Sequence, residues 1–239
     1  MSTKNPTIDA MFTAGAHFAF SRSRRHPTVA PFIFGAKNKV EIFDLEKTSK
    51  LLTDAKEIAK DLGRKGKTIL FVGGKSEARN AVKMGAQLIA MPFVDGRWLG
   101  GTLTNFVQMR KRVEKMEKLT LEREKGELIK YTKKERLLID REIANLERFF
   151  SGVVSMKDLP AALFVVDPKK EKTAVKEAKD MGIPVIALLG SDCNVKEVTY
   201  PIIGNDASET SVKFFTTEIV NAYAEGKKEG RVEEKPAQK

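Results

Sequence analysis

An anion would find its best reception on this chain between Asp95 and Phe106. The run Asp95-Gly96-Arg97-Trp98-Leu99-Gly100-Gly101-Thr102-Leu103-Thr104-Asn105-Phe106 holds the only tryptophan, an arginine and three glycines. Adjacent glycines interrupt regular structure and let backbone amides approach a neighbour closely. Thr102, Thr104 and Asn105 are residue types that open helices. Arg97 and the glycine amides at a helix start would suit a phosphate or an RNA contact. The same residues equally suit a packed corner in which Trp98 covers the base of a helix. Both readings stand.

A second glycine pair, Gly73-Gly74-Lys75-Ser76, follows an apolar run and precedes a helical pattern. A full phosphate loop needs a glycine five positions before Gly74. Ile69 occupies that position, so the cradle is incomplete, and no Gly-x-Gly-x-x-Gly fingerprint occurs. What remains is a helix start whose lysine can hold one phosphate locally, or a plain strand–helix turn. Ser21-Arg22-Ser23-Arg24-Arg25-His26 gathers guanidiniums and hydroxyls within a few residues, the groups that contact phosphates. The two histidines, His17 and His26, have neither an orienting partner nor a ligand set nearby, which argues against catalysis and metal binding. Cys193 has no neighbouring base and reads as a buried structural thiol. No paired catalytic carboxylates stand out.

The elements that must carry these residues alternate. Residues 40–45 read as a strand, and Leu51, Leu52, Ala55, Ile58, Ala59 and Leu62 share one helical face with Gly63 as its stop. Residues 68–72 form a continuous apolar run, as in a strand covered on both faces. A helix from Glu77 to about Met84 and a strand over 87–94 follow. After residue 150 the alternation resumes: strand 161–166, a helix through Ala174, Val175, Ala178 and Met181 ending at Gly182, strand 185–189 and a short edge strand 200–203. Asp206 and Glu209 have capping-box spacing, ahead of a last helix through Val212, Phe215, Ile219 and Ala222. Such alternation implies a parallel sheet with helices on both faces.

Three segments lie outside this pattern. Residues 1–40 form an extended basic arm, with Lys4, Arg22, Arg24, Arg25, Lys37 and Lys39 against one acid, Asp9, and with Phe12, Phe18, Phe20, Phe32 and Phe34 as anchors. Pro27 and Pro31 rule out a continuous helix there. Residues 104–150 interrupt the α/β domain (41–103 and 151–226) with two apolar rows, Phe106-Met109-Val113-Met116 and Ile139-Ile143-Leu146-Phe150. That spacing predicts an antiparallel coiled-coil hairpin, whose charged flanks are either a solvated face or a reach device. The Lys- and Glu-rich end, 227–239, reads as disordered.

The bulk numbers agree with a globular polyanion binder. The 239 residues carry a net charge of +11, with 41% hydrophobic and 31% charged residues. Such a surplus favours nucleic acid first and an anionic membrane second. One cysteine excludes an internal disulfide. No apolar run approaches the roughly 20 residues that cross a bilayer, and no secretory signal is visible, so the expected place is the cytoplasm.

Taken in order, Gly15-Ala16-His17-Phe18, Pro31 through Asn38, Phe43-Asp44-Leu45-Glu46-Lys47-Thr48, Phe71-Val72-Gly73-Gly74-Lys75, Arg97 through Phe106, Thr132-Lys133-Lys134-Glu135 and Pro201-Ile202-Ile203-Gly204-Asn205-Asp206 closely resemble the bacterial family of small-ribosomal-subunit protein two. The resemblance spans about residues 8–226, and its Arg97–Phe106 block is highly specific. It implies a flavodoxin-like three-layer α/β domain with a protruding coiled-coil hairpin, bound to 16S ribosomal RNA between head and body of the small subunit. It also implies neighbouring small-subunit proteins as partners, docking of the large mRNA-binding ribosomal protein one during initiation, and no catalysis. The candidate RNA contacts are Arg22, Ser23, Arg24, Arg25, His26, Lys37, Asn38, Lys39, Lys75, Arg97, Trp98, Thr102, Thr104 and Asn105. Some members associate a metal with one corner, through side chains matching positions 20, 190 and 206. Here Phe20 and Gly190 replace two of them, so no metal and no cofactor are expected. The rival from another class is a nucleotide- or sugar-phosphate-binding α/β enzyme, supported by the alternation and by Gly73–Ser76.

Overall fold

The computed structural model describes residues 6–233. Residues 1–5, with Lys4, and the tail residues 234–239 lie outside the described residues. Five parallel strands make the central sheet: β3 (Ile69–Val72), β4 (Phe93–Val94), β5 (Ala162–Val166), β6 (Val185–Leu189) and β7 (Tyr200–Ile203), in spatial order β4-β3-β5-β6-β7. Counted from β3, that is the second-first-third-fourth-fifth order of flavodoxin-like folds. β3, β5 and β6 are buried at every position, because helices cover both faces and leave no polar side.

One face carries α2 (Leu45–Arg64), α3 (Ser76–Leu88) and α7 (Glu209–Glu233). There Phe71, Phe164, Ile186 and Leu188 meet Leu52, Val82, Phe215 and Tyr223. The other face carries α4 (Phe106–Glu124), α5 (Lys133–Phe150) and α6 (Lys172–Asp180). Leu70, Val72, Leu163 and Val165 there share a core with Met109, Val113, Leu146, Phe150, Ala174 and Ala178. Local signals fix the helix ends. Asp44 caps α2 by accepting from the Glu46 and Lys47 amides, Thr132 and Glu135 form a reciprocal capping box at α5, and Gly182 (φ +68°) turns the chain after α6. Each supplies a partner or a backbone conformation that a helix end otherwise lacks.

The leading segment is more structured than an extended arm. It forms α1 (Pro6–Thr13), short 3₁₀ turns at Arg22–Arg24 and Pro27–Phe32, and an antiparallel hairpin of β1 (Ile33–Lys37) and β2 (Val40–Phe43). Asn38 and Lys39 take positive φ at its two-residue turn, as such turns require. The aromatics are not the main anchors: Met11, Ala16 and Val29 are buried, whereas Phe12, Phe18 and Phe34 are exposed.

Other expectations also change. Gln87 and Leu88 end α3, and only Phe93 and Val94 of the 87–94 run join the sheet. Asp206 does not cap α7, since its carboxylate accepts from Lys75. The insertion buries Met109, Val113, Met116, Ile143, Leu146 and Phe150. Its helices α4 and α5 pack on each other, and the ion pairs Lys115–Glu142 and Arg123–Glu147 link them. Met109, Val113, Leu146 and Phe150 also join the core that these helices share with the sheet.

The largest departure is at the end of the chain. Gly63 does not stop α2, and residues 227–233 are helical. A Cβ at Gly63 would meet the Tyr223 carbonyl. One at Gly226 would meet the Lys60 carbonyl, and one at Gly230 the Arg64 carbonyl. These three glycines let α2 and α7 touch along their backbones, and Glu229 closes the contact with Lys60 (2.6 Å) and Arg64 (2.8 Å). Substituting leucine at Gly226 should therefore cost about 1–3 kcal/mol, the usual penalty for overpacking. Urea denaturation monitored by far-UV circular dichroism should show the lowered midpoint; an unchanged midpoint would mean that α7 detaches without cost.

Candidate nucleic-acid interface

The loop with the makings of an anion site already holds one of the protein's own anions. Glu177, on α6 and 7% exposed, receives five hydrogen bonds from it. Oε1 accepts from the Trp98 indole (3.1 Å) and the Gly101 amide (2.8 Å). Oε2 accepts from the amides of Leu103 (3.0 Å) and Thr104 (3.3 Å) and from the Thr104 hydroxyl (3.4 Å). Gly101 sits at φ +90°, a left-handed conformation that suits glycine. Burial opposes the charge of Glu177, but the amides of Leu103 and Gly101, the indole and the Thr104 amide hold its carboxyl below the usual range.

So the packed-corner reading describes this loop. Trp98 is buried, and the buried Thr102 donates its hydroxyl to the Leu99 carbonyl at 2.7 Å. Their polar groups face inward, and Thr104, though exposed, turns its amide and hydroxyl to Glu177. Arg97 and Asn105 are exposed. Asn105 precedes α4 without a side-chain capping bond.

Lys75 is also engaged from within. Its Nζ donates to Asp206 Oδ2 at 2.9 Å and to Asp167 Oδ2 at 3.3 Å. Burial works against the ammonium, yet the two carboxylates outweigh it and raise its pKa. Burial, with Asp167 adding to it, pushes Asp206 up to about 6 against the pull of Lys75. A phosphate would have to displace two carboxylates from this lysine, so the local phosphate reading of Gly73–Ser76 does not hold.

The basic run of the leading segment lies at the carboxyl end of β6. The His26 amide donates to the Ser191 carbonyl (2.8 Å), and the Phe20 amide to the Ser191 hydroxyl (3.0 Å). Arg24 reaches Asp192 (3.4 Å) and lies 4.0 Å above the Phe20 ring; Lys169 joins the same carboxylate oxygen at 2.9 Å. Arg25 pairs at 2.8 Å with the buried Glu41. His26 accepts the Thr28 amide at Nδ1 and starts the second 3₁₀ turn. Only Arg22 and Ser23 of this run are exposed without a charged partner among the described residues. Lys37, Asn38 and Lys39 form the exposed tip of the β1–β2 hairpin. The candidates therefore divide into an inward set, Arg25, His26, Lys75, Trp98 and Thr102, and an outward set, Arg22, Ser23, Arg24, Lys37, Asn38, Lys39, Arg97 and Asn105, with the exposed Thr104 between them, bonded to Glu177.

The corner around Phe20, Gly190 and Asp206 does not fit a metal. Asp206 is taken by Lys75, Phe20 supplies no ligand, and the space beside Gly190 is filled by the Asp206 carboxylate. Among the described residues no cluster of three His, Cys, Asp or Glu has ligating geometry. His17 stacks on Phe12 at 4.4 Å, its Nδ1 buried without a partner, and burial lowers its pKa. Cys193 is buried and burial pushes its thiol up to about 12, which leaves it inert.

Sequence reasoning missed Glu177, Asp192 and Lys169. Glu177 had a readable signal: it lies three residues after Ala174 and one before Ala178, so the α6 apolar face contains an acid that demands partners. Converting Glu177 to alanine strands buried donors and should cost at least about 3 kcal/mol, measured as a shift of the denaturation midpoint. The depressed pKa adds a pH signature. The stabilisation is complete above the ordinary glutamate range and is lost as pH falls through the lowered folded value. In Glu177→Gln that acid-dependent component should disappear from the stability–pH curve.

Residues 11–226 match the model of the ribosomal protein S2 family. The chain is 40% identical over 225 residues to "Small ribosomal subunit protein uS2" of Coprothermobacter proteolyticus, covering 94% of this chain and 84% of that protein. Proteins of the same name from Nitratiruptor sp. (40% identical; 92% and 83% covered) and Sulfurimonas denitrificans (41%; 92% and 85%) are similar along the same stretch. The inserted helices, the Trp98 loop and the sheet all lie inside the matched span, and the chain belongs to the ribosomal protein S2 family.

Proposed function

We propose that this chain binds 16S ribosomal RNA between the head and body of the small subunit, alongside neighbouring small-subunit proteins, and so supports translation. Membership of the family makes it a ribosomal protein and not an enzyme. The observation that carries the RNA reading is the outward set of cations. Arg22, Lys37, Lys39 and Arg97 are exposed and have no ion pair among the described residues, on a chain with a net charge of +11. Cations left unpaired at the surface are what a phosphate backbone recruits, through release of its condensed counterions. No helix among the described residues is long and apolar enough to cross a membrane.

Docking of the large mRNA-binding protein one during initiation belongs to the same reading. With Phe20 and Gly190 at the corner, it would use the exposed Phe12 and Phe18 around His17 and the hollow beside them rather than a metal. The enzyme alternative loses its chief support, since Lys75 is held by Asp167 and Asp206.

The structure also chooses the right variant. Removing Arg25 would leave the buried Glu41 unpaired and confuse binding with folding. Replacing Arg22, Lys37 and Lys39 together with alanine leaves the internal pairs intact. Filter binding to a 16S rRNA fragment should show weaker affinity. The slope of log K against log salt should fall by about 0.7–0.9 for each phosphate no longer neutralised. Unchanged affinity and slope would exclude these residues from the interface.

A further inference from the structure

The sheet changes direction at β3. The chain first crosses from β3 to β4 on one side, then returns to set β5, β6 and β7 on the other. Helices α3 and α6 therefore leave β3 and β5 toward opposite faces, and a crevice opens between their first turns. In sheets wound this way, ligands lodge beyond the carboxyl ends of the strands at that switch. Here the crevice is a cavity of about 440 Å³, lined among others by Gly74, Arg79, Gly96, Arg97, Lys170 and Glu171. That volume lies in the range of small-molecule sites.

Its charges are unbalanced. Arg79, Arg97 and Lys170 are exposed and form no ion pair among the described residues, although Lys170 lies in the field of Glu77 and Glu171 and Arg79 Nε donates to the Gly74 carbonyl at 3.4 Å. One acid, Glu171, stands among them. It is 5% exposed, and its Oε1 accepts the Gly74 amide at 3.2 Å. Its other oxygen has no hydrogen-bond partner among the described residues. Burial raises the pKa of this carboxyl, with the Gly74 amide and Lys170 opposing. The residues that precede α3 and α6, Lys75 and Glu171, make no side-chain cap to their own helices. Gly74 packs closely at one wall, where a Cβ would strike the Gly96 carbonyl and come within 2.8 Å of Glu171.

A rim of guanidinium and ammonium groups recognises phosphate, and a buried carboxylate with a free oxygen accepts hydroxyls. We propose that this cleft binds a ribose phosphate, with the phosphate on Arg79, Arg97 and Lys170 and a ribose hydroxyl donating to Glu171. The ribose phosphate is supplied either by an RNA backbone or by a free ribonucleotide. The first source rests on the function proposed above; the second does not.

The test uses the full chain and its Arg97→Ala/Lys170→Ala variant, whose exposed positions should leave the unfolding midpoint unchanged. Calorimetry with AMP and with 2′,3′-dideoxy-AMP probes the free ligand; filter binding of a 16S rRNA fragment probes the backbone. AMP binding that weakens at least tenfold in the variant and in the dideoxy analogue supports the free ribonucleotide. Silence with AMP, but at least tenfold weaker RNA binding and a salt slope lower by about 0.7–0.9 per phosphate, supports the RNA backbone. AMP binding abolished in the variant, with a wild-type chain that ignores RNA, upholds the cleft and defeats the RNA reading. Silence with AMP and RNA binding untouched by the variant overturns the cleft and leaves the RNA reading standing. Silence with both ligands overturns both.

Discussion

One buried carboxylate ties the inserted helices to the α/β domain. Glu177 lies on α6, and its partners lie in the loop that leads from β4 into α4. A carboxylate withdrawn from water costs several kcal/mol unless its lone pairs are filled. Here three backbone amides, an indole and a hydroxyl fill them, and the loop has little freedom left. That fixes where α4 begins and which of its residues, Met109 and Val113 first, enter the core with α6 and the sheet. The glycines are needed because amides can converge on one anion only where the backbone is unobstructed.

The same logic sorts the charges of the whole molecule. Where a cation meets a buried acid, as Lys75 meets Asp206 and Arg25 meets Glu41, it holds the fold together. Losing either partner would leave an uncompensated charge inside. Arg22, Lys37, Lys39 and Arg97 instead stay at the surface with no ion pair among the described residues. Arg24 and Lys169 stand between these sets, exposed themselves but sharing the largely buried carboxylate of Asp192. The chain thus separates the charges that build its fold from those left at its surface.

What the sequence reveals follows from range. The buried strands are readable because a sheet covered on both faces needs unbroken apolar runs, and 68–72, 161–166 and 185–189 have them. Gly182 is readable because a helix stop is a local event. Gly63 looks like the same kind of stop and Gly226 like the start of a loose tail, because the reason for each glycine lies on a helix more than a hundred residues away. The Trp98 loop has the signature of an anion site, but its anion comes from α6, more than seventy residues on. Lys75 follows the same pattern, with partners at 167 and 206. The spacing of the insertion announces two amphipathic helices correctly, yet spacing alone does not say whether an apolar row meets its twin or the sheet. Family likeness, carried by the Arg97–Phe106 block, supplies the ribosomal context that no spacing rule contains.

The most direct measurement is amide hydrogen exchange at Gly101, Leu103 and Thr104, in the free chain and with a 16S rRNA fragment bound. If Glu177 fills the loop, these amides exchange only with global unfolding in the free chain, and adding RNA leaves their protection unchanged. Fast exchange in the free chain that slows only once RNA is bound would show that the loop waits for an external phosphate, and would contradict the central claim.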